Sequence, residues 1–150
     1  MRPAKSITAV LVSVAFVASG VLACATPALA TDVDSCSFGQ SPFMGICYDY
    51  HPDFGGAHAG LWQTVPDLLN PIAYFPRNQV PGYTDGAGQP IGNNSASGSN
   101  ADPVCSITIY YHKNYNAGYS NAPALTLHPY EGSHNFGAMR NNNRSQKWFC

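Results

Sequence analysis

Hydrophobic and aromatic positions in this chain cluster in short runs and do not recur at helical intervals. Three runs, at residues 45–50, 72–75 and 104–112, are rich in aromatic and β-branched residues and are bounded by Gly, Pro, Asn and Asp. Such runs predict β-strands. One stretch, residues 61–70, has helical character, and residues 66–69 within it predict a single helical turn. The pattern as a whole predicts an all-β sandwich or barrel.

The beginning of the chain has a different pattern from the rest. Arg2 and Lys5 precede an almost continuous apolar stretch at residues 7–22, and a small-x-small site follows at residues 28–30. This arrangement predicts a signal peptide at residues 1–30, cleaved after Ala30, and a secreted domain at residues 31–150. The alternative is a lipoprotein anchor at Cys24, although Leu22 stands where such signals carry a small residue. The apolar stretch is shorter than the roughly 20 residues that span a bilayer, which argues against a permanent membrane span. No later stretch could span either, so we expect no membrane association after cleavage.

Charge argues against a nucleic-acid partner. Beyond residue 30, five basic residues face eight acidic ones, which gives a net charge of about −3. Proteins that bind phosphate backbones carry a basic stripe. The local excess at Arg140, Arg144 and Lys147 is too small to form one.

The cysteines indicate an oxidised protein. Removal of Cys24 with the signal peptide leaves an even number, namely Cys36, Cys47, Cys105 and Cys150. An even cysteine count in a small exported domain predicts disulfides. Three pairings are possible, and we favour Cys36 with Cys47 and Cys105 with Cys150 because each pair stays within one half of the chain. Zinc is the alternative, but no Cys-x-x-Cys spacing supports it.

The two halves of the domain look like copies of each other. Residues 46–56 align with residues 107–117 at a constant offset, and residues 93–97 and 141–145 both read Asn-Asn-x-x-Ser. Two matched openings with two matched endings predict one supersecondary unit used twice, at about 36–98 and about 105–150. Residues 81–103 are dominated by Gly, Asn, Ser, Asp and Pro, and on composition alone they predict a flexible loop joining the halves.

These features resemble the βγ-crystallin Greek-key motif, and more closely the secreted bacterial peptidase-inhibitor family of the metalloproteinase-inhibitor type, which uses that fold. The resemblance covers residues 36–150 and implies a disulfide-stabilised Greek-key sandwich of two motifs. The family hairpin opens with an aromatic residue, four residues, a second aromatic residue, one residue and a glycine. Each copy departs from this pattern once, because Asp49 occupies the leading aromatic position and Ala117 replaces the glycine, with Gly118 one residue late.

The resemblance also implies a calcium site. In calcium-binding crystallins the Asn-Asn-x-x-Ser corner supplies a carbonyl from its third position and a hydroxyl from its fifth, which here nominates Ser95, Ser97, Asn143 and Ser145. Oxygen ligands suit calcium, but no carboxylate lies inside either corner. The alternative is that these side chains satisfy backbone groups of the turns. We expect calcium to be an optional ligand and no cofactor to be required.

A search for catalytic residues finds no established motif. Gly-x-Ser-x-Gly, His-Glu-x-x-His and phosphate-loop patterns are absent from the sequence. The best cluster is residues 128–134, where Glu131 lies between His128 and His134 and could support acid-base chemistry, although a polar turn collects such residues by chance. His51 and His112 occupy matching positions and could be read as a metal pair or as a product of duplication. We expect no enzymatic activity.

The resemblance therefore implies a secreted, monomeric peptidase inhibitor that places a rigid segment in the cleft of an extracellular protease. A segment ordered before binding loses little entropy on docking. The segments around Cys47 and Cys105 are candidates because disulfides hold them. The alternative from the same fold is a non-enzymatic antimicrobial or toxin-like binding module, with or without stabilising calcium. A third hypothesis is a small hydrolase built on Glu131 and His134.

Overall fold

The computed structural model describes Cys36, residues 45–70 and residues 72–150, so the predicted signal peptide lies outside the described residues. Antiparallel strands form two sheets, ordered β2-β1-β3-β6 and β5-β4-β7. Their bounds are β1 Ile46–His51, β2 Gly55–Leu61, β3 Ser97–Asn100, β4 Ser106–Tyr110, β5 Ala124–Leu127, β6 Gly132–Ser133 and β7 Ser145–Phe149. The predicted all-β class and the strands at 45–50 and 104–112 are confirmed.

Each half of the chain contributes a segment to the sheet of the other half. Strand β6 comes from the second half but pairs with β3 of the first. Conversely, Val65 of the first half forms a bridge with Gln146 of β7, through two backbone hydrogen bonds of 2.9 Å. This reciprocal exchange is the Greek-key arrangement of two related motifs, and it prevents either half from completing its sheet alone.

The core lies between the sheets because alternate residues of each strand point inward. Ile46 and Tyr48 of β1 belong to one buried cluster with Ile107 and Ile109 of β4, and all four are fully buried. Burial of each such side chain contributes about 1.5–3 kcal/mol. Other buried apolar residues complete the same cluster: Ala57, Ala59, Leu61, Val65, Leu68, Ala73, Phe75, Ile91, Leu127, Phe136 and Met139.

One hydrogen-bonded pair crosses this core. The Tyr48 hydroxyl donates to Oε1 of Gln146 at 2.7 Å, and Nε2 of Gln146 donates to the carbonyl of Gln63 at 2.7 Å. Burial raises the pKa of the Tyr48 hydroxyl far above its usual value, which keeps it protonated as a donor. The pair satisfies buried polar groups while fixing β1 of one sheet to β7 of the other.

Strand β3 lies where the composition predicts a flexible loop. The expected loop at residues 81–103 contains a four-residue strand that is fully buried although it reads Ser-Gly-Ser-Asn. Gly98 is required there, since a Cβ would collide with the carbonyl oxygen of Cys47 and the ring of Phe136. Nδ2 of Asn100 donates to the carbonyls of Cys105 and Leu127 at 2.8 and 3.2 Å. Polar side chains are buried here because backbone carbonyls pair with them.

The predicted helical turn is also replaced by another structure. No helix forms between residues 61 and 70, where Oδ1 of Asp67 accepts the N–H of Leu69 at 2.9 Å in a turn. Asp side chains favour such local bonds over helix. Residues 72–75 are extended but are held by single bridges at Ile72 and Tyr74, outside either sheet. Short 3₁₀ turns at Asn114–Asn116 and Gly137–Met139 were not predicted.

Both predicted disulfides are present. Cys36 bonds to Cys47 of β1, and Cys105 before β4 bonds to Cys150 after β7. Disulfides are typical of oxidising, extracellular compartments. In the part of the chain that the structure describes, no helix has the length and apolarity needed to span a bilayer.

The disulfides make unequal predicted contributions to stability. The sequence separations are 11 for Cys36–Cys47 and 45 for Cys105–Cys150, which correspond to about 3 and about 4 kcal/mol of loop entropy. Replacing Cys105 and Cys150 together by Ser is therefore expected to lower the free energy of unfolding in urea more than replacing Cys36 and Cys47. The reverse order would contradict the assignment of the longer loop as the main covalent constraint.

Candidate functional site

The β1–β2 and β4–β5 hairpins fold over through the same unusual backbone conformation. Asp53 and Phe54 have φ of 57° and 60°, and their counterparts Asn114 and Tyr115 have φ of 53° and 59°. The first copy then uses Gly56 at φ 73°, where a Cβ would lie 3.0 Å from the carbonyl oxygen of Asp85. In the second copy Asn116 takes the left-handed conformation and Ala117 has an ordinary φ of −55°. The missing glycine is therefore accommodated by an Asn one position earlier.

One serine in each Asn-Asn-x-x-Ser corner holds the folded hairpin of its own half. The Ser97 hydroxyl donates to the carbonyl of His51 at 2.6 Å and accepts the N–H of Phe54 at 3.0 Å. The Ser145 hydroxyl donates to the carbonyl of His112 at 2.7 Å and accepts the N–H of Tyr115 at 3.0 Å. Sequence-equivalent residues thus make equivalent bonds, which supports the prediction of a duplicated unit.

The third residue of each corner binds the other corner. The N–H of Asn141 donates to the carbonyl of Ser95, and the N–H of Asn93 donates to the carbonyl of Asn143, both at 2.9 Å. The side chains meet as well, because Oδ1 of Asn143 accepts the N–H of Ser95 at 3.2 Å. Ser95, Ser97, Asn143 and Ser145 are all fully buried. We call this set the corner lock.

The four predicted calcium ligands are therefore the members of the corner lock. Each nominated oxygen accepts a hydrogen bond from a backbone N–H group of the protein. This is the role that the alternative interpretation gave them, namely to satisfy backbone groups of the turns. Carboxylates do not compensate for this, since the described residues contain no group of three or more His, Cys, Asp or Glu side chains able to hold a metal. Calcium binding stays a prediction.

Removal of either lock hydroxyl is expected to destabilise the whole domain. Ser97→Ala or Ser145→Ala removes one donor and one acceptor at a buried position, and each substitution should cost about 1–3 kcal/mol in urea unfolding. The two costs should be similar because the bonds are equivalent. Ser120→Ala, at an exposed turn position, is the matched control and should change stability little. A neutral effect at Ser97 or Ser145 would contradict the structural role.

Asp49 is the most unusual ionisable residue of the molecule. It stands where the second copy has Tyr110, whose ring packs against Tyr115 at a centroid distance of 5.8 Å. Asp49 is 5 % exposed and faces His58 on β2 and Ser97 on β3. No described residue hydrogen-bonds to its carboxyl group, and burial raises the pKa of Asp49 to about 7. Burial also lowers the pKa of the neighbouring His58, so both side chains favour their neutral forms.

This carboxyl group makes stability depend on pH. Between about pH 4 and pH 7 the unfolded chain loses the Asp49 proton while the folded chain retains it, so the free energy of unfolding falls as pH rises. The total loss is on the order of 4 kcal/mol and is complete above the folded pKa. Asp49→Asn should remove this loss in urea unfolding followed across that range. Asp53→Asn, at a side chain 82 % exposed, is the control, and equal pH profiles for the two variants would contradict the burial of an ionisable Asp49.

The candidate catalytic cluster at residues 128–134 is not assembled as an acid-base pair. Oε2 of Glu131 accepts the N–H of His128 at 2.7 Å and closes its own turn. Nδ1 of His134 instead lies 3.3 Å from Oδ1 of Asp53, in an exposed contact beside the first hairpin. Glu131 and His134 therefore have separate partners and do not bond to each other in the structure.

The matched histidines also have separate partners. Nε2 of His51 lies 2.6 Å from Oδ2 of Asp85, in the segment between Val65 and the first corner. His112 stacks on Tyr119 with ring centroids 3.8 Å apart. Neither belongs to a metal-binding group among the described residues. Duplication accounts for their matching positions in the sequence.

Residues 72–77 form an extended surface segment, which we call the edge segment. The sequence predicted a strand here but no site. Ala73 and Phe75 point into the core, while Ile72 and Tyr74 are 45 % and 48 % exposed. The N–H of Phe75 donates to the carbonyl of Gln89 at 2.9 Å, and Phe75 and Ala73 accept the N–H groups of Gly88 and Ile91 at 2.8 Å. Alternate residues therefore anchor the segment, and the others face outward.

The described residues do not pair with the outer edge of this segment. Within the described ranges, the N–H and carbonyl of Tyr74 make no backbone hydrogen bond. A cavity of about 430 Å³, lined by residues 72–77 and Gly88, lies alongside. The sequence signal for this segment was the run of apolar and aromatic residues at 72–75, which predicted only a strand.

The region around Cys47 was a predicted inhibitory segment. Cys47 is buried within β1 and offers no exposed loop.

No protein-family model matches the chain, and no curated protein matches it. Among solved structures, the chain is similar to one described as "Evolution of the eye lens beta-gamma-crystallin domain fold", with a TM-score of 0.52 and 11 % sequence identity. The alignment covers 80 % of this chain and 95 % of that chain. The chain has a βγ-crystallin-like fold. A likeness at this level shows the fold alone, so a function has to be argued from the surface of the molecule.

Proposed function

We propose that this protein is a non-enzymatic inhibitor of an extracellular peptidase and that the edge segment is its inhibitory element. The observation that carries the proposal is the combination of an extended, outward-facing backbone at Tyr74 with rigid anchorage on both sides. A strand with one unpaired edge can add to the edge of a partner, with backbone bonds giving affinity and alternate side chains giving specificity. Peptidases bind their substrates in the same extended form.

Rigidity favours inhibition over ordinary binding. The backbone bonds of Ala73 and Phe75 and the full burial of the Phe75 side chain hold the segment in one conformation before a partner arrives. Such preorganisation reduces the entropy lost on docking. It also keeps the two sides of the Tyr74–Phe75 peptide bond in place, which opposes the separation of products after a cut.

The position of the segment in the fold supports the same proposal. It belongs to the long connection between Val65 and the first corner at Asn93, whereas the second half needs only the short connection from β6 to Asn141. The extra length is therefore not required by the Greek-key motif. The resemblance to the peptidase-inhibitor family agrees with an inhibitory role for this addition, with Tyr74 entering an apolar specificity pocket.

The test is inhibition of a panel of secreted metallo- and serine peptidases by the purified protein. Tyr74→Ala should weaken inhibition of the responsive peptidase by about 30- to 1,000-fold, since central aromatic anchors contribute about 2–4 kcal/mol to an interface. Tyr130→Ala is the matched control, because Tyr130 is 65 % exposed in the turn before β6. Both variants should unfold in urea like the wild type.

Two results would contradict the proposal. One is the absence of inhibition across the panel, and the other is undiminished inhibition by Tyr74→Ala. The fold alone is equally compatible with a non-enzymatic binding module of the antimicrobial or toxin-like kind, and that alternative predicts partner binding without loss of peptidase activity.

A further inference from the structure

A second cleft lies beside the β4–β5 hairpin of the second half, and its lining shares no residue with the edge segment. It has a volume of about 330 Å³ and forms between the second hairpin and the two corners. The hairpin side contributes His112, Lys113 and Tyr119, and the corner side contributes Asn93, Asn142 and Arg144. We call it the His112 cleft.

The first copy shows what occupies the equivalent place. There the connection between Val65 and Asn93 covers the hairpin, and the carboxylate of Asp85 lies 2.6 Å from Nε2 of His51. Gly86 lies so close to the ring of Tyr50 that no Cβ would fit between them. The counterpart of the His112 cleft is thus filled by a carboxylate of the protein itself and by the turn that carries it.

The second copy has no such connection and leaves the cleft open. The ring nitrogens of His112 have no hydrogen-bond partner among the described residues, although the ring stacks on Tyr119 at 3.8 Å. Two cations are added, because Lys113 and Arg144 stand where the first copy has Pro52 and Ala96. The cleft therefore lacks the carboxylate of the first copy and gains positive charge.

Arg144 is held rigidly at the rim of the cleft. Its Nε and Nη2 donate to the two carboxylate oxygens of Asp67 at 2.6 and 3.1 Å. This bidentate pair fixes the guanidinium plane and neutralises much of its charge. Lys113 is exposed, and none of the described residues forms an ion pair with its ammonium group. The Asp67 carboxylate attracts Lys113 from a distance as well, but its hydrogen bonds go to Arg144. Two cations thus face one carboxylate, and the ammonium group of Lys113 is the one left without a direct partner among the described residues.

We propose that the His112 cleft binds a small carboxylate ligand with a flat or ring-shaped body. The carboxylate would take the position relative to His112 and Lys113 that Asp85 takes relative to His51, and the body would lie against Tyr119. Both a sugar acid and the carboxyl terminus of a peptide with an aromatic last residue have this chemistry. An open cleft of this size should bind such ligands at about millimolar affinity.

The test is a titration of the isotope-labelled purified protein followed by amide NMR shifts, with two acid and amide pairs as probes. Glucuronate and glucuronamide represent the sugar source, and N-acetylphenylalanine and its amide represent the peptide source. At least one acid should give saturable shifts at His112, Lys113, Asn93 and Asn142, and should bind at least about tenfold more tightly than its amide. The acid that binds more tightly identifies the source.

Charge variants make the site assignment specific. Lys113→Gln should weaken binding of the acid by about tenfold, and higher salt should weaken it as well. Lys147→Gln is the matched control, because Lys147 lies over the rings of Tyr115 and Phe149 on the outer face of the second sheet. The proposal is overturned if neither acid gives saturable shifts in the cleft, if acid and amide bind equally, or if Lys113→Gln leaves the affinity unchanged. None of these outcomes depends on peptidase inhibition.

Discussion

The corner lock is the constraint on which the rest of the structure depends. Ser97 and Ser145 fasten each folded hairpin to its own corner, and the backbone bonds of Ser95 and Asn143 fasten each corner to the other. The halves also exchange pairing segments at β6 and Val65. The mutual completion of the halves and the two disulfides therefore add to the core that lies between the sheets.

The corner lock gives both copies the same hairpin and corner structure. The differences between the copies lie outside it, and they are where we look for function. The first copy has a long connection that forms the edge segment and covers its own hairpin with Asp85 and Gly86. The second copy has a short connection, an open cleft and two added cations. Asp49 in place of an aromatic residue is a third difference, and it couples stability to pH at the centre of the first sheet.

The sequence predicted features that local chemistry determines, namely the strands β1 and β4, the disulfide pairs, the duplication and the fold class. It did not predict β3, because Ser97–Asn100 looks like a loop until tertiary hydrogen bonds satisfy its polar side chains. The sequence singled out the corner residues as calcium ligands, but hydrogen bonds such as the one between Ser95 and Asn143 reach partners 48 residues away and could not be read from the sequence. The edge segment could not be predicted for the same reason. Residues 88–91 pair with one of its edges and leave the other exposed, and that pairing is a tertiary contact.

Native-state hydrogen exchange tests the central claim most directly, because it reports the free energy at which each amide opens. The N–H groups of Phe54 and Tyr115 bond to the lock hydroxyls, and those of Asn93 and Asn141 join the corners. The account predicts that all four exchange only through global unfolding and at the same free energy. Exchange of the Phe54 and Asn93 amides at a clearly lower free energy than those of Tyr115 and Asn141 would show halves that open independently, and would contradict the account.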